Sequence, residues 1–346
     1  MGVDLSPEDR ALLALLQGEF PLAPDPFARL AERLGRPEQE VLTRTAALKA
    51  RGPLRQIGAI FDTRRLGYAS TLVALQVEPA QLDEAGQAVS RHPGVSHCYS
   101  RGHALNLWFT LAVPRGRDLA AEVETLAHQP GVLRVLDLPV VRAFKIDVRF
   151  DLGAEAAPQG ALARAQALTL PAASQGEGAP PAAGPERDVL EATDIPYVRA
   201  LQEDLPLLPR PFAALAARFD LAEPGLLAAG RRLLAAGIMR RYGATLRHRQ
   251  AGYGANAMAC WAVPEGRIVV AGQAAAEHRG VSHCYERPAH PPEWPYRLFT
   301  MAHARSEEEL AAAIGELEGR IRPLSRAVLP TLKEYKKARL RYFDEP

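Results

Sequence analysis

Lysine, cysteine and long apolar runs are all scarce in this chain, and each shortage excludes something. Only five of its 42 basic residues are lysines (Lys49, Lys145, Lys333, Lys336 and Lys337), so its positive charge is almost wholly guanidinium. Arginine grips carboxylates through a planar fork that an ammonium lacks, although an arginine-rich genome would leave the same bias. Cations and anions nearly cancel, 42 against 40. That balance excludes a surface given over wholly to nucleic acid and leaves room for a local basic patch. The three cysteines, Cys98, Cys260 and Cys284, show no CxxC spacing and cannot pair evenly, which argues against a disulfide framework or a structural zinc. No apolar run reaches the roughly 18 residues of a membrane span. Met1 to Arg10 has no signal-peptide pattern. A cytoplasmic protein is expected, with no metal site, and its 346 residues at 47% hydrophobic content suit two or more globular domains.

What the chain does have is a repeated octapeptide. "GVSHCYSR" (Gly94 to Arg101) returns as "GVSHCYER" (Gly280 to Arg287). On a strand, alternation would set Val95, His97, Tyr99 and Arg101 on one face and Ser96 and Cys98 on the other. Imidazole, phenol and guanidinium in a row suit a site better than a hydrophobic core.

The octapeptide belongs to a chain-long duplication. A shift of 185 (252 minus 67) aligns Gly67–Tyr68 with Gly252–Tyr253, Leu16–Gln17 with Leu201–Gln202 and Pro26–Phe27 with Pro211–Phe212, and holds to Pro79 and Pro264. Further on, Phe109–Thr110 matches Phe299–Thr300, Leu138–Pro139 matches Leu329–Pro330 and Phe144–Lys145 matches Tyr335–Lys336. Two long copies point to a fused homodimer. The stretch between them is rich in Ala, Gly and Pro and reads as a tether, with a helical tendency at 161–168.

Within each copy the hydrophobic period changes. Helical spacing over Pro7 to Gln17, Pro26 to Leu34 and Pro37 to Arg51, each opened by a proline, predicts a helix-turn-helix followed by a wing strand at Leu54 to Phe61. The order strand, helix, strand, strand, helix, strand then predicts a ferredoxin-like βαββαβ plait. The fold class is therefore α+β in two tandem units. Winged helix-turn-helix domains are expected at 1–57 and 188–242, plaits at 58–150 and 243–346, and the linker at 151–187.

This combination resembles the Lrp/AsnC regulators, and "LRQIGAIFDTRRLGY" (Leu54 to Tyr68) is similar to their hinge strand. The Thr-Gly-x-x-Asp stretch usual in those regulators is missing from both copies. Instead, "SHCYSRGHALNLWFT" (Ser96 to Thr110), "SHCYERPAHPPEWPYRLFTMAH" (Ser282 to His303) and "MRRYGATLRHRQAGY" (Met239 to Tyr253) resemble the siroheme decarboxylases, often paired subunits or fusions of two Lrp-like halves. The resemblance implies loss of CO2 from the acetates at carbons 12 and 18 of siroheme, giving 12,18-didecarboxysiroheme, in heme d1 or alternative heme synthesis. It implies no cofactor beyond the iron that the substrate carries. An internal pseudo-dimer with facing sheets is expected, and further homo-oligomerisation stays open.

An eight-carboxylate substrate calls for fixed guanidiniums. The candidates are Arg101 and Arg287 on the octapeptides, Arg240, Arg241, Arg247 and Arg249 around the second wing, and Arg55, Arg64 and Arg65 around the first. An ordinary solvated arginine is the alternative for each. Loss of CO2 leaves electron density on a methylene that needs a proton, and histidine is the natural donor. His97, His248 and His283 are the candidates, with iron ligation or acetate positioning as alternative roles, and His303 is a weaker one. Tyr99 and Tyr285 can donate to a carboxylate or stack on the macrocycle, and Trp108 and Trp294 can line an apolar slot, whereas Phe109 and Phe299 are read as core by default. Because the 185 shift sets Asp62–Thr63 against Arg247–His248, copy two is expected to hold the better formed site. The rival function, a DNA-binding regulator, is weakened by "GLLAAGRRLLAAG" (Gly225 to Gly237), which has few side chains for reading base edges, and less so by copy one, which offers Gln39, Thr43, Arg44 and Lys49.

Overall fold

The computed structural model describes residues 5–18, 20–146, 190–247 and 254–344. The linker read at 151–187 lies outside the described residues. Copy one contains α1 (Pro7–Gly18), α2 (Pro26–Leu34), α3 (Glu38–Arg51) and the wing β1 (Leu54–Phe61). Its plait follows as β2 (Tyr68–Val77), α4 (Leu82–Arg91), β3 (Val95–Arg101), β4 (Leu107–Pro114), α5 (Leu119–Ala127), β5 (Val132–Pro139) and an added β6 (Arg142–Ile146). Copy two repeats the order with α6 (Ile195–Leu201), α7 (Pro211–Ala217), α8 (Glu223–Ala235) and the wing β7 (Met239–Leu246). Its plait runs β8 (Ala255–Ala262), α9 (Ile268–Ala276), β9 (Val281–Glu286), β10 (Leu298–Ala304), α10 (Glu307–Ile321) and β11 (Ser325–Lys337).

The wings do not stand free. β1 and β7 pair antiparallel with each other about Gly58 and Gly243, so each strand runs unbroken through the boundary expected at 57 or 242. Only glycine permits this placement: a Cβ at Gly58 would lie 2.7 Å from the Glu203 carbonyl oxygen, and one at Gly243 would lie 2.6 Å from that of Leu16. A single hydrophobic core holds both helical units, with Leu13, Phe27 and Leu48 of copy one packed among Val198, Phe212 and Leu233 of copy two.

The two plaits join into one sheet of order β5-β2-β4-β3-β11-β8-β10-β9-β6. Each copy's last strand crosses between plaits. Ser325–Pro330 of β11 pairs with β8 at home, and Thr331–Lys337 pairs with β3 of copy one. In the same way β5 pairs with β2, and the chain beyond Pro139 continues as β6 against β9 of copy two. Since β5 leads directly into β6, the sheet nearly closes on itself around Trp108, Leu138, Cys260, Trp294, Phe299 and Leu329. The facing plaits thus share a filled core and exchange their edges, which leaves fewer unpaired strand edges than two separate sheets would.

Both crossing strands are pinned by an equivalent bulge. Phe144 and Tyr335 fall at register breaks, and a bulge re-aims its side chain. Tyr335 lies over Gly86 of α4, and Phe144 lies over Gly272 of α9. Lys336 and Lys145 repeat the symmetry by donating to the carbonyls of His92 and His278 at 2.8 and 3.0 Å.

Strand pairing corrects two alignments read from the sequence. Leu75 opposes Leu107 and Trp261 opposes Leu298, so the plaits run at a shift of 186 (261 minus 75), and Pro79 does not match Pro264. Cys98 opposes Phe109 while Cys284 opposes Thr300, so Trp108 is the counterpart of Phe299, and Phe109 that of Thr300.

Candidate active site

The octapeptides do form strands, with one departure from simple alternation. A register break between Val95 and His97 turns Val95 into the helix-side core beside Cys98. Val281 and Cys284 do the same in copy two. The bulge also brings Ser96 and Ser282 to the neighbouring imidazoles rather than to the opposite face. Ser96 Oγ lies 3.0 Å from His97 Nδ1, and Ser282 Oγ lies 2.9 Å from His283 Nδ1.

Each row runs inward from a half-buried rim. The rings of His97 and Tyr99 are 6.2 Å apart and those of His283 and Tyr285 are 5.9 Å apart. The guanidiniums of Arg101 and Arg287 then sit 5.4 and 5.1 Å from the tyrosine centroids. Both arginines are deeply buried, at 6% and 7% exposure. Arg101 Nη1 donates to the Leu329 carbonyl at 3.0 Å and to Thr331 Oγ1 at 3.2 Å, and Arg287 Nη1 donates to the Leu138 carbonyl. Those carbonyls mark the places where β11 and β5 leave their own plait. The expectation that Arg101 and Arg287 hold substrate carboxylates is thereby corrected, because their guanidiniums clamp the strand crossings from within. Burial also pushes the Arg287 pKa down to about 10. Trp294 is likewise corrected from slot to core: it is fully buried against Trp108, Tyr296 and Phe299, and the same core takes Trp108.

The wing arginines divide by position. Arg55 Nη2 donates to the Lys337 carbonyl at 3.3 Å, and its charge bears on His97 and Tyr99. Arg64 donates to the Val140 carbonyl at 2.9 Å, and Arg64 and Arg240 both bear on Tyr285. Arg65 and Arg241 are drawn away to main-chain carbonyls, Ala236 for the first and Gln17 and Ala244 for the second. Arg247 lies against Gly52 and Pro53, and His248 and Arg249 are outside the described residues.

Antiparallel pairing of the wings then exchanges what the sequence shift had assigned. Asp62, from copy one, meets Arg240 of copy two at 2.7 Å, while Arg247, from copy two, arrives at the end of the ribbon occupied by Arg55. The carboxylate expected to weaken the copy-one site therefore stands beside the copy-two row. Burial would raise the Asp62 pKa, but the Arg240 charge and hydrogen bond, with the N–H groups of Arg65 and Arg64, hold it below the ordinary range.

The imidazoles differ in what stands behind them. Ser96 Oγ meets Thr110 Oγ1 at 2.8 Å, whereas Ser282 Oγ meets His303 Nε2 at 2.8 Å. Burial, then the charges of Lys337 and Arg55, push the His97 pKa down to about 4; burial, then His283 and Lys337, do the same to His303. Sequence reasoning underrated His303 and passed over Lys337, and the "TMAH" strand end was the only cue. Two cavities, of about 280 Å³ beside α1 to α3 and about 140 Å³ beneath β1 and Arg339, contain no octapeptide residue.

Several helix-turn-helix cations are partnered within the protein, while Gln39 and Thr43 on α3 are exposed. On α3, Arg44 is paired with Glu40 and Asp9, and Lys49 with Asp204; on α8, Arg232 is paired with Asp194, and Arg231 donates to the Leu22 carbonyl.

Known proteins match both parts of this architecture. An AsnC-like ligand binding domain matches residues 65–145 and 250–336, and a siroheme decarboxylase NirDL-like HTH domain matches residues 9–55 and 197–240. A siroheme decarboxylase of Hydrogenobacter thermophilus is 37% identical over 96% of this chain and 94% of its own length. The chain belongs to the siroheme decarboxylases. The NirDL subunit of Paracoccus denitrificans is 38% identical over 89% of this chain and 88% of its own. The crystal structure of the siroheme decarboxylase NirDL in co-complex with an iron-uroporphyrin III analogue superposes with a TM-score of 0.71 at 31% identity, covering 98% of this chain and 95% of that one. Membership of this family accounts for the two AsnC-like halves without requiring either to bind DNA.

Proposed function

We propose that this protein converts siroheme to 12,18-didecarboxysiroheme by removing CO2 from the acetates at carbons 12 and 18, in the cytoplasm, within heme d1 or alternative heme synthesis. The observation that carries the reading is the duplicated His-Tyr row, half-buried at the sheet rim and faced by the wing-ribbon guanidiniums, in a chain of this family. The filled core between the plaits favours the rim for the macrocycle, between the rows and the ribbon, with Arg55, Arg64, Arg240 and Arg247 as the guanidiniums that would meet its carboxylates. As the bond between the methylene and the carboxylate of the acetate breaks, CO2 leaves and the electron pair stays on the methylene, where the macrocycle delocalises it. A proton from an imidazole then completes the methyl group. Three free, buried thiols agree with a reducing compartment.

The test is anaerobic incubation of the purified protein with siroheme and mass analysis of the pigment. A product lighter by two molecules of CO2 is expected, and siroheme recovered unchanged would refute the function. His97→Ala, His248→Ala and His283→Ala measured alongside identify the donor. Wild-type turnover by all three would remove histidine from that role.

A further inference from the structure

Resting on that reading, we propose that Ser282 and His303 act through His283 as a proton relay, which makes the second octapeptide strand the site of proton delivery. The geometry is one hydroxyl between two ring nitrogens, 2.9 Å from His283 Nδ1 and 2.8 Å from His303 Nε2. A serine hydroxyl has one proton to give and can accept another, so a proton entering from one ring releases one to the other. Copy one lacks this arrangement. Thr110 opposes His97 as Met301 opposes His283, so the position equivalent to His303 is Ala112, and the partner of Ser96 is the Thr110 hydroxyl.

The relay answers a chemical difficulty. A neutral imidazole carries a single N–H and is a poor acid unless its other nitrogen is refilled as the proton leaves. In the productive arrangement His303 Nε2–H donates to Ser282 Oγ and Ser282 O–H donates to His283 Nδ1, leaving the His283 proton on Nε2. When CO2 departs, the electron pair left on the methylene takes the proton from His283 Nε2. The Ser282 proton moves to His283 Nδ1, and the proton on His303 Nε2 moves to Ser282. His303 then takes one at Nδ1, an atom buried from bulk solvent, so this proton, the one that the decarboxylation consumes, has to reach it through an internal water. No oxidant or reductant is required, and no ring is left charged.

His303→Gln tests the relay, because a carboxamide can still hydrogen-bond Ser282 but cannot pass a proton on. Siroheme binding, followed by the change in its visible absorption, should keep its Kd, while the single-turnover rate falls roughly 10²-fold. The rate in mixed H2O and D2O should change from a multi-proton to a one-proton dependence. Ser282→Ala removes only a hydroxyl and should show the same signature even if His303→Gln misfolds. The double variant should lose no more than either single one, since both cut one path. Wild-type turnover and isotope dependence in Ser282→Ala, or in folded His303→Gln, would overturn the relay. An unmodified protein that leaves siroheme intact would instead sink the decarboxylase reading on which the relay stands.

Discussion

The crossing strands are tested most sharply by one substitution made at two places. Gly86 lies in α4 under the Tyr335 ring, and a Cβ there would come within 2.7 Å of two ring carbons, whereas nothing lies within 4 Å of a Cβ at Gly315 in α10. Replacing a helical glycine with alanine stabilises by about 0.5–1 kcal/mol, because the unfolded chain loses freedom. Gly315→Ala should show that gain in full. At Gly86 the same gain meets overpacking, which costs about 1–3 kcal/mol. The ring cannot retreat cheaply, since its hydroxyl donates to Asp83 at 2.6 Å and its neighbours Glu334 and Lys336 are paired to β3. Gly86→Ala should therefore be less stable than Gly315→Ala by about 1–3 kcal/mol, as the difference between two substitutions of equal intrinsic propensity. Urea unfolding of the full chain, followed by circular dichroism, measures both. Adding Tyr335→Leu to Gly86→Ala should recover much of the loss, and the coupling in that cycle isolates the contact. If Gly86→Ala stabilises as Gly315→Ala does, β11 does not cross to copy one with Tyr335 seated on α4, and the exchanged-edge architecture is wrong.

Three further outcomes follow from the site and its surroundings. Asp62→Asn keeps an oxygen for the N–H groups of Arg64 and Arg65 but removes the charge that occupies Arg240, so an anionic tetrapyrrole should bind about fivefold tighter, roughly 1 kcal/mol; weaker binding would contradict the placement of Arg240 at the site. His97 and His303 are held at about 4 against an ordinary 6.5, so between those values the unfolded chain binds protons that the folded one refuses. Stability should be full above about pH 6.5 and decline as pH falls toward 4, by at most about 3 kcal/mol for each residue, and His97→Phe should flatten the decline. In a gel shift at physiological salt no sequence-selective DNA complex should form, because α8 has few side chains that read base edges and the chain belongs to an enzyme family; a saturable, selective shift would restore the regulator.

Much of the fold is legible in the sequence because the relevant signals are local. Prolines at the first helical turns, the change from helical to alternating period and the duplicated octapeptide fix the units and their order. What escapes is set by contacts between the copies. No periodicity reveals that Tyr335 and Phe144 fall at bulges, or that the break at Val95 brings Ser96 to His97. Arg101 and Arg287 look like exposed carboxylate binders in the sequence because nothing local shows that Leu329 and Leu138 present their carbonyls to them. Trp294 reads as a slot wall for the same reason, since its burial depends on Trp108 and Phe299 from two different plaits.

The exchange of Asp62 and Arg247 shows why the two halves are unequal in a way that neither half encodes alone. In a symmetric dimer a substitution in the wing changes both sites alike. In a fused chain each wing is free to diverge, yet antiparallel pairing about Gly58 and Gly243 delivers the end of each wing to the other copy's side of the ribbon. A carboxylate placed in copy one therefore tempers the cation beside the Tyr285 row, and a guanidinium placed in copy two arrives at the end of the ribbon that carries Arg55, whose charge bears on His97. His303 is a plait residue and stays with its own copy, so under the proposed relay proton supply and charge supply can vary independently. The arrangement favours a division of labour in which the copy-one row, with the charges of Arg55 and Lys337 bearing on it, contributes mainly anion binding and the copy-two row contributes the proton. On that argument His97→Ala should raise the Kd for siroheme more than it slows a single turnover, and His283→Ala should do the reverse; the opposite pattern would assign the roles the other way round.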